Sequence, residues 1–300
     1  MPSIQSQLLI ALLRITRRKR IYSSVQAVLE GIKKVRNQGP ARPSGNMLRS
    51  LEVQHQTLDG IELYQLSPQT PQATARHLLY LHGGAYIRPI TTHHWRFLQR
   101  LVEQTGCTIT VPLYPLAPEA SCKQAVDAVV RVYQHLCITT DAGSLTLAGD
   151  SAGGGLSLAL CYALREKGLP LPAQLVLICP WLDVSMQHPA IAAREKHDPM
   201  LAAVGLKEAG RLYAGDLSVE HSHVSPLRGN LQGLPPTLLF AGTRDIAHHD
   251  ALLFADKMRA AGVPVNLQIG EGMIHVWPIL PIPEGKKALE LIVSCLPSAG

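Results

Sequence analysis

The stretch SLTLAGDSAGGGLSLALCYALREKG, from Ser144 to Gly168, decides the fold. Its opening SLTLAG is a short apolar run, the pattern of a buried strand. Its second half, GGLSLALCYALREKG, reads as a helix. Between them lies Gly149-Asp150-Ser151-Ala152-Gly153, where a tight turn requires the small residues that flank a single serine. Strand, turn and helix in direct succession form the repeating unit of a mostly parallel sheet.

The same alternation extends outward. LEVQHQT and IELYQL flank Leu58-Asp59-Gly60 and read as a hairpin. HLLYL, TITVPL, QLVLICP, TLLFAG and VNLQI are further buried-strand runs. Helical stretches such as ALLFADKMRAAG lie between most of them, and EGKKALELIVSCL closes the chain. The class is therefore α/β, with about eight strands, an antiparallel start and helices on both faces.

Two segments stand apart from this alternation. Helical patterns over about Ser3–Thr16 and Ser23–Val35 precede the first strand, and Asn37, Gly39, Pro40 and Pro43 end the second. Residues 1–45 are expected to form the helical part of a cap, and 46–300 the main domain. From about Val184 to Arg228 no strand pattern occurs, and residues 184–228 are expected to supply a second cap segment. The apolar stripe of the opening helices, Leu8, Leu9, Leu12, Leu13 and Ile15 with Val25, Val28 and Leu29, is expected to cover the mouth of a cleft.

Composition bounds the function. A chain of 300 residues, 46% of them hydrophobic, can bury a continuous core. The net charge is +6, with a cluster at Arg14, Arg17, Arg18, Lys19 and Arg20. No nucleic-acid-binding motif accompanies that cluster, so it reads as a solvated helix end. Six scattered cysteines lack CxxC spacing, which suits neither a zinc site nor a disulfide framework and fits a reducing cytoplasm. LLIALLRI has its basic residues after it, the reverse of a secretory signal, and is too short for stable membrane insertion.

The chemistry rests on three places. Ser151 sits at the tip of the strand–turn–helix unit, where its Oγ projects and the following helix N-terminus faces developing negative charge. Leu79-Tyr80-Leu81-His82-Gly83-Gly84-Ala85-Tyr86 ends another buried strand in consecutive small residues, whose N–H groups can converge on an oxyanion. His82 is expected to shape this loop and not to act as a base. A serine nucleophile needs an acid and then a histidine later in the chain, each at the C-terminal end of a strand. Of thirteen histidines only His275 follows the last strand. Asp245 follows the strand before it and is the preferred acid, with Asp183, after QLVLICPW, as its rival.

These fragments together resemble the bacterial hormone-sensitive-lipase-type esterases of the α/β-hydrolase superfamily. HGGAY is similar to the family's HGGGY signature, YPLAPE at Tyr114–Glu119 to its YRLAPE stretch, and GDSAGGGL to its nucleophile elbow. PWLD, SPLRG and LPPTLLFAGTRD follow in family order, from about Leu78 to the C-terminus. The resemblance implies the α/β-hydrolase fold with a helical cap. It implies Ser151, Asp245 and His275 as the triad, and backbone donors from Gly83, Gly84, Ala85 and Ala152. Ala85 in place of the third glycine is expected to keep its N–H available at negative φ, with its methyl narrowing the acyl pocket. Pro115 stands where the family has arginine.

The expected activity is hydrolysis of short- to medium-chain acyl esters through an acyl-enzyme, without a metal or organic cofactor. The same triad would serve a lactone or aryl-amide hydrolase, and the fold also hosts non-catalytic binders of small molecules. A small-molecule ester is the expected partner, nucleic acid is not, and the edge of the last strand could pair two copies into a homodimer.

Overall fold

A computed structural model of the chain describes residues 2–70 and 76–296. Eight strands form one sheet: β1 (Leu51–Leu58), β2 (Ile61–Pro68), β3 (His77–Leu81), β4 (Thr108–Pro112), β5 (Leu145–Asp150), β6 (Gln174–Ile178), β7 (Thr237–Gly242) and β8 (Val265–Gly270). Their order is β1-β2-β4-β3-β5-β6-β7-β8. β1 pairs with β2 and β2 with β4 in antiparallel fashion, and every later pairing is parallel. All eight expected strands are present, hairpin first.

Among the described residues ten α-helices accompany them: α1 (Ile4–Ile15), α2 (Val25–Gln38), α3 (Gly45–Ser50), α4 (Thr92–Thr105), α5 (Cys122–Leu136), α6 (Ala152–Glu166), α7 (Ile191–Glu195), α8 (Ala203–Ala214), α9 (His248–Ala260) and α10 (Pro283–Cys295). A 3₁₀ turn, Arg18–Tyr22, links α1 to α2.

Strand alternation builds two cores. Leu79, Leu147, Leu175, Leu177 and Leu239 face one layer with α5, α6 and α8. Leu78, Tyr80, Ala148, Val176, Ile178 and Phe240 face the other with α4 and α10. β5 and β7 are buried along their whole length, which is why they read as unbroken apolar runs. β1 and β8 are edge strands with exposed residues.

The sheet reverses its winding at β3, which lies between β4 and β5. Leu81 at the end of β3 pairs with Gly149 near the end of β5. Ligands of open α/β sheets bind outside the strand C-termini at such a reversal. The two loops read as chemically special from sequence therefore leave the sheet side by side.

The opening helices depart from expectation. Val28 and Ile32 of α2 are buried, but Ile4, Leu8, Leu12 and Ile15 of α1 are 74%, 65%, 55% and 78% exposed. The buried residues of α1 are instead Ser6 and Ile10. Glu284 explains this: its carboxylate accepts hydrogen bonds from the Ser3 N–H, the Ser3 hydroxyl and the Ser6 hydroxyl. Those bonds tie the start of α1 to α10 and turn Leu8 and Leu12 outward, while Leu9 packs partly against the core. The 3₁₀ turn after it takes the place over the cleft, with Gly205 of α8 against the Tyr22 backbone. Arg36 of α2 forks onto Glu119 and also donates to the Ile87 and Ala117 carbonyls, which fixes α2 to the loop that carries Pro115.

Candidate active site

β5 ends at Asp150, and Ser151 follows at φ 50°, ψ −120°, a conformation that costs a non-glycine residue about 1–3 kcal/mol. The neighbours make that turn possible. A Cβ on Gly149 would lie 2.4 Å from the Gly153 carbonyl oxygen, and one on Gly153 would lie 1.9 Å from that of Leu81. Both glycines of the pentapeptide are thus required by close backbone approach. The Ser151 N–H donates to the Ile178 carbonyl, and the Ser151 carbonyl accepts from Gly154, Gly155 and Trp181. The backbone is held while the Oγ projects toward the cavity.

His275 lies in the loop after β8, and Asp245 in the loop after β7. The Thr243 N–H donates to Gly270 and that of Arg244 to Met273, which clips the two loops together. His275 Nε2 is 2.8 Å from Ser151 Oγ, and His275 Nδ1 is 2.8 Å from Asp245 Oδ2. The other carboxylate oxygen of Asp245 accepts the Ala247 N–H at 2.9 Å. His275 and Asp245 are buried. Burial pulls the imidazole pKa down, but the Asp245 charge and hydrogen bond, helped by Asp198 and Asp150, outweigh it and raise the pKa above the ordinary histidine value.

Asp183 is placed elsewhere. It accepts from the Ser185 N–H, the Ser225 hydroxyl and Arg228, and so braces the 184–228 segment. His82 is stacked on Tyr114 at 4.5 Å, with its Nδ1 2.7 Å from the Gly83 carbonyl oxygen. Burial, then the nearby His94, lowers its pKa to about 4, which keeps it neutral.

The small-residue loop departs from expectation at Gly83 and Ala85. The Gly83 N–H is not free for an oxyanion, because it donates to Asp150 Oδ1 at 2.8 Å. Among the described residues, the N–H groups of Gly84, Ala85 and Ala152 have no partner in the protein. Ala85 also has φ 53° where a negative φ was expected. Gly84, Ala85 and Tyr86 all have positive φ, and the resulting curl lets the Gly84 carbonyl accept from both Ile87 and Arg88. Tyr86 is held in that curl by stacking on Tyr213 at 3.5 Å.

Two further carboxylates, to which the sequence reading gave no role, shape the site. Asp150 accepts from the Tyr80 hydroxyl and the Gly83 N–H, and lies 3.2 Å from His94 Nε2. Burial alone would raise its pKa, but His94 and these hydrogen bonds win and lower it to about 2. Asp198 accepts from the Met200, Leu201 and Ile246 N–H groups, joining the 184–228 segment to the loop of Asp245. Only the Asp-Pro dipeptide, a turn initiator, marked Asp198 in sequence.

A cavity of about 170 Å³ opens over Ser151 and His275. Ile21 and Tyr22 of the 3₁₀ turn, Met200, Leu201 and Leu206 supply apolar wall. A second cavity of about 390 Å³, between the end of α2 and the Pro115 loop, does not reach Ser151. Among the described residues no cluster of His, Cys, Asp and Glu is arranged to hold a metal ion. None of the described helices is long and apolar enough to cross a membrane.

Residues 78–279 match the family model described as the alpha/beta hydrolase fold. The chain belongs to this family. Among curated proteins it is 35% identical over 229 residues to an acetyl-hydrolase of Streptomyces hygroscopicus, covering 75% of this chain and 76% of that protein. The solved structure of EstE5, soaked with p-nitrophenyl butyrate, is 28% identical with a TM-score of 0.85 and covers 98% of both chains. An esterase from the bacterial hormone-sensitive lipase family is 28% identical with a TM-score of 0.82, covering 99% of this α/β hydrolase and 98% of its own chain. The resemblance to hormone-sensitive-lipase-type esterases thus extends from motifs to whole architecture.

Proposed function

We propose that this α/β hydrolase is a serine carboxylesterase, with Ser151 as nucleophile, His275 as general base and Asp245 as its orienting acid. One observation carries the reading: the continuous path from Ser151 Oγ through both His275 nitrogens to Asp245 Oδ2, each link 2.8 Å. Such a path lets a neutral imidazole take the hydroxyl proton as Oγ attacks the acyl carbonyl. The tetrahedral oxyanion accepts hydrogen bonds from the N–H groups of Gly84, Ala85 and Ala152. Collapse expels the alcohol, which takes the proton from His275 and leaves the acyl group on Oγ. Water then attacks the acyl-enzyme, His275 accepts its proton, and the carboxylic acid departs as Ser151 is restored.

The small, largely apolar cavity supports short- to medium-chain acyl groups. The names of its relatives, acetyl-hydrolase and esterase, support the same class. The 3₁₀ turn Arg18–Tyr22 and the segment from Asp198 to Leu206 act as the cap over this cavity. Rates across p-nitrophenyl esters from acetate to laurate, with a lactone and an anilide in the same panel, test the proposal. The expected profile peaks at short or medium chains. Faster turnover of the lactone or anilide than of every ester would overturn the ester assignment.

A further inference from the structure

The wall of the Ser151 cavity carries a pair of cations with no counter-charge. Arg18 and Arg88 both line it, together with His93. Its single carboxylate, Asp150, is already occupied by Tyr80, Gly83 and His94. Elsewhere Arg36, Arg42, Arg211 and Arg228 each meet a carboxylate within 3.4 Å. Among the described residues neither Arg18 nor Arg88 does.

The setting of Arg88 shows that its place is built. Its guanidinium lies 5.7 Å over the Tyr22 ring, and its buried Nε has no hydrogen-bond partner. Its Nη2 reaches over Gly31 of α2, where a Cβ would lie 2.6 Å from it. A glycine inside a helix is a cost of about 1 kcal/mol against alanine, and here it leaves room for this head group. Arg18, exposed at the rim, has its pKa lowered by partial desolvation and then by the Arg88 charge, while Tyr22 acts the other way. The two cations therefore feel one another on the wall of one cavity.

Holding like charges together on one cavity wall is unfavourable unless something negative completes the site. Guanidinium groups match carboxylates in charge and in donor geometry. We propose that Arg18 and Arg88 form an anion subsite, and that the preferred substrates are esters carrying a carboxylate on the acyl or alcohol part. This rests on the esterase reading of Ser151.

The test compares kcat/KM for 4-nitrophenyl hydrogen adipate with that for the neutral 4-nitrophenyl hexanoate of equal chain length. A second arm uses 3-carboxy-4-nitrophenyl hexanoate, which carries the charge on the leaving group. At low salt one anionic ester is expected to exceed the neutral one by about tenfold, and the ratio to shrink as ionic strength rises. Arg18→Gln and Arg88→Gln should each lower that ratio about tenfold, mainly through KM. Gly31→Ala keeps both charges and favours the helix, yet crowds the Arg88 head, so it should lower the ratio in a well-folded protein. A ratio of one or less for both anionic esters would overturn the subsite, as would a ratio unmoved by all three substitutions. If the neutral ester is turned over in those cases, the esterase reading stands without the subsite. If the wild-type protein turns over no ester at all, both fall together.

Discussion

Asp150 holds the N–H of Gly83 at 2.8 Å, so the residue before the candidate nucleophile anchors the first glycine of the small-residue loop. The carboxylate also takes the Tyr80 hydroxyl at 2.7 Å. One buried side chain thereby fixes the distance between the serine turn and the N–H groups of Gly84 and Ala85.

Asp150→Ala would leave the Tyr80 hydroxyl and the Gly83 N–H buried without acceptors. The expected loss is about 3 kcal/mol of stability, with a fall in kcat larger than any change in KM. Asp150→Asn keeps one carbonyl oxygen for both donors and should fall between. Urea unfolding paired with steady-state kinetics on p-nitrophenyl butyrate checks both.

As the proposed general base, His275 must be neutral to accept the Ser151 proton. Its pKa in the folded protein is raised, so kcat/KM should fall on the acid side with a midpoint above the ordinary histidine value of about 6.5. Asp245→Asn removes the charge chiefly responsible for that rise. It should lower kcat by about 10⁴ and move the remaining acid limb to lower pH. Asp183→Asn, which touches neither His275 nor Ser151, should act on stability instead. A pH–rate profile of each variant separates the two acids.

Ala85 occupies a left-handed conformation that glycine adopts freely. Ala85→Gly should relieve about 1 kcal/mol of folded-state strain, partly offset by the extra freedom of glycine in the unfolded chain. A thermal midpoint equal to or above that of the parent is expected, along with a wider acyl pocket and a chain-length optimum shifted upward. A marked loss of stability would show that the alanine methyl contributes more by packing than its backbone costs.

Asp250 is buried, and its Oδ2 has no hydrogen-bond partner. Burial, then the charges of Asp183 and Asp245, raises its pKa to about 7. The folded protein therefore keeps a proton there that the unfolded chain releases near pH 4, and stability from this group drains away as pH rises toward 7. Asp250→Asn removes the dependence. Its advantage over the parent should be near zero at pH 4 and on the order of 2 kcal/mol at pH 8, read from urea midpoints.

What sequence could and could not show follows from the range of the interactions. The strands were legible because burial on both faces leaves an unbroken apolar run, as in Leu145–Asp150 and Thr237–Gly242. Ser151, Asp245 and His275 were legible because each follows a strand in a set order, and the structure brings the three together. Asp198 was not, since its meaning comes from an N–H at Ile246, distant in sequence. The Gly83 donor was misread because the competing acceptor, Asp150, comes from another strand. The outward turn of Leu8 and Leu12 depended on Glu284 near the far end of the chain, beyond any local periodicity. Arg18 reads as part of a solvated basic run, and nothing local ties it to Arg88, which the fold sets in the same cavity wall.

Ser151 is the proposed nucleophile. The direct measurement is treatment with a fluorophosphonate, followed by intact mass and peptide mapping. The expected result is one stoichiometric adduct on the peptide containing Ser151, absent in Ser151→Ala, with ester turnover in that variant reduced on the order of a million-fold. An adduct on another residue, or near-parental hydrolysis of p-nitrophenyl acetate by Ser151→Ala, would contradict it.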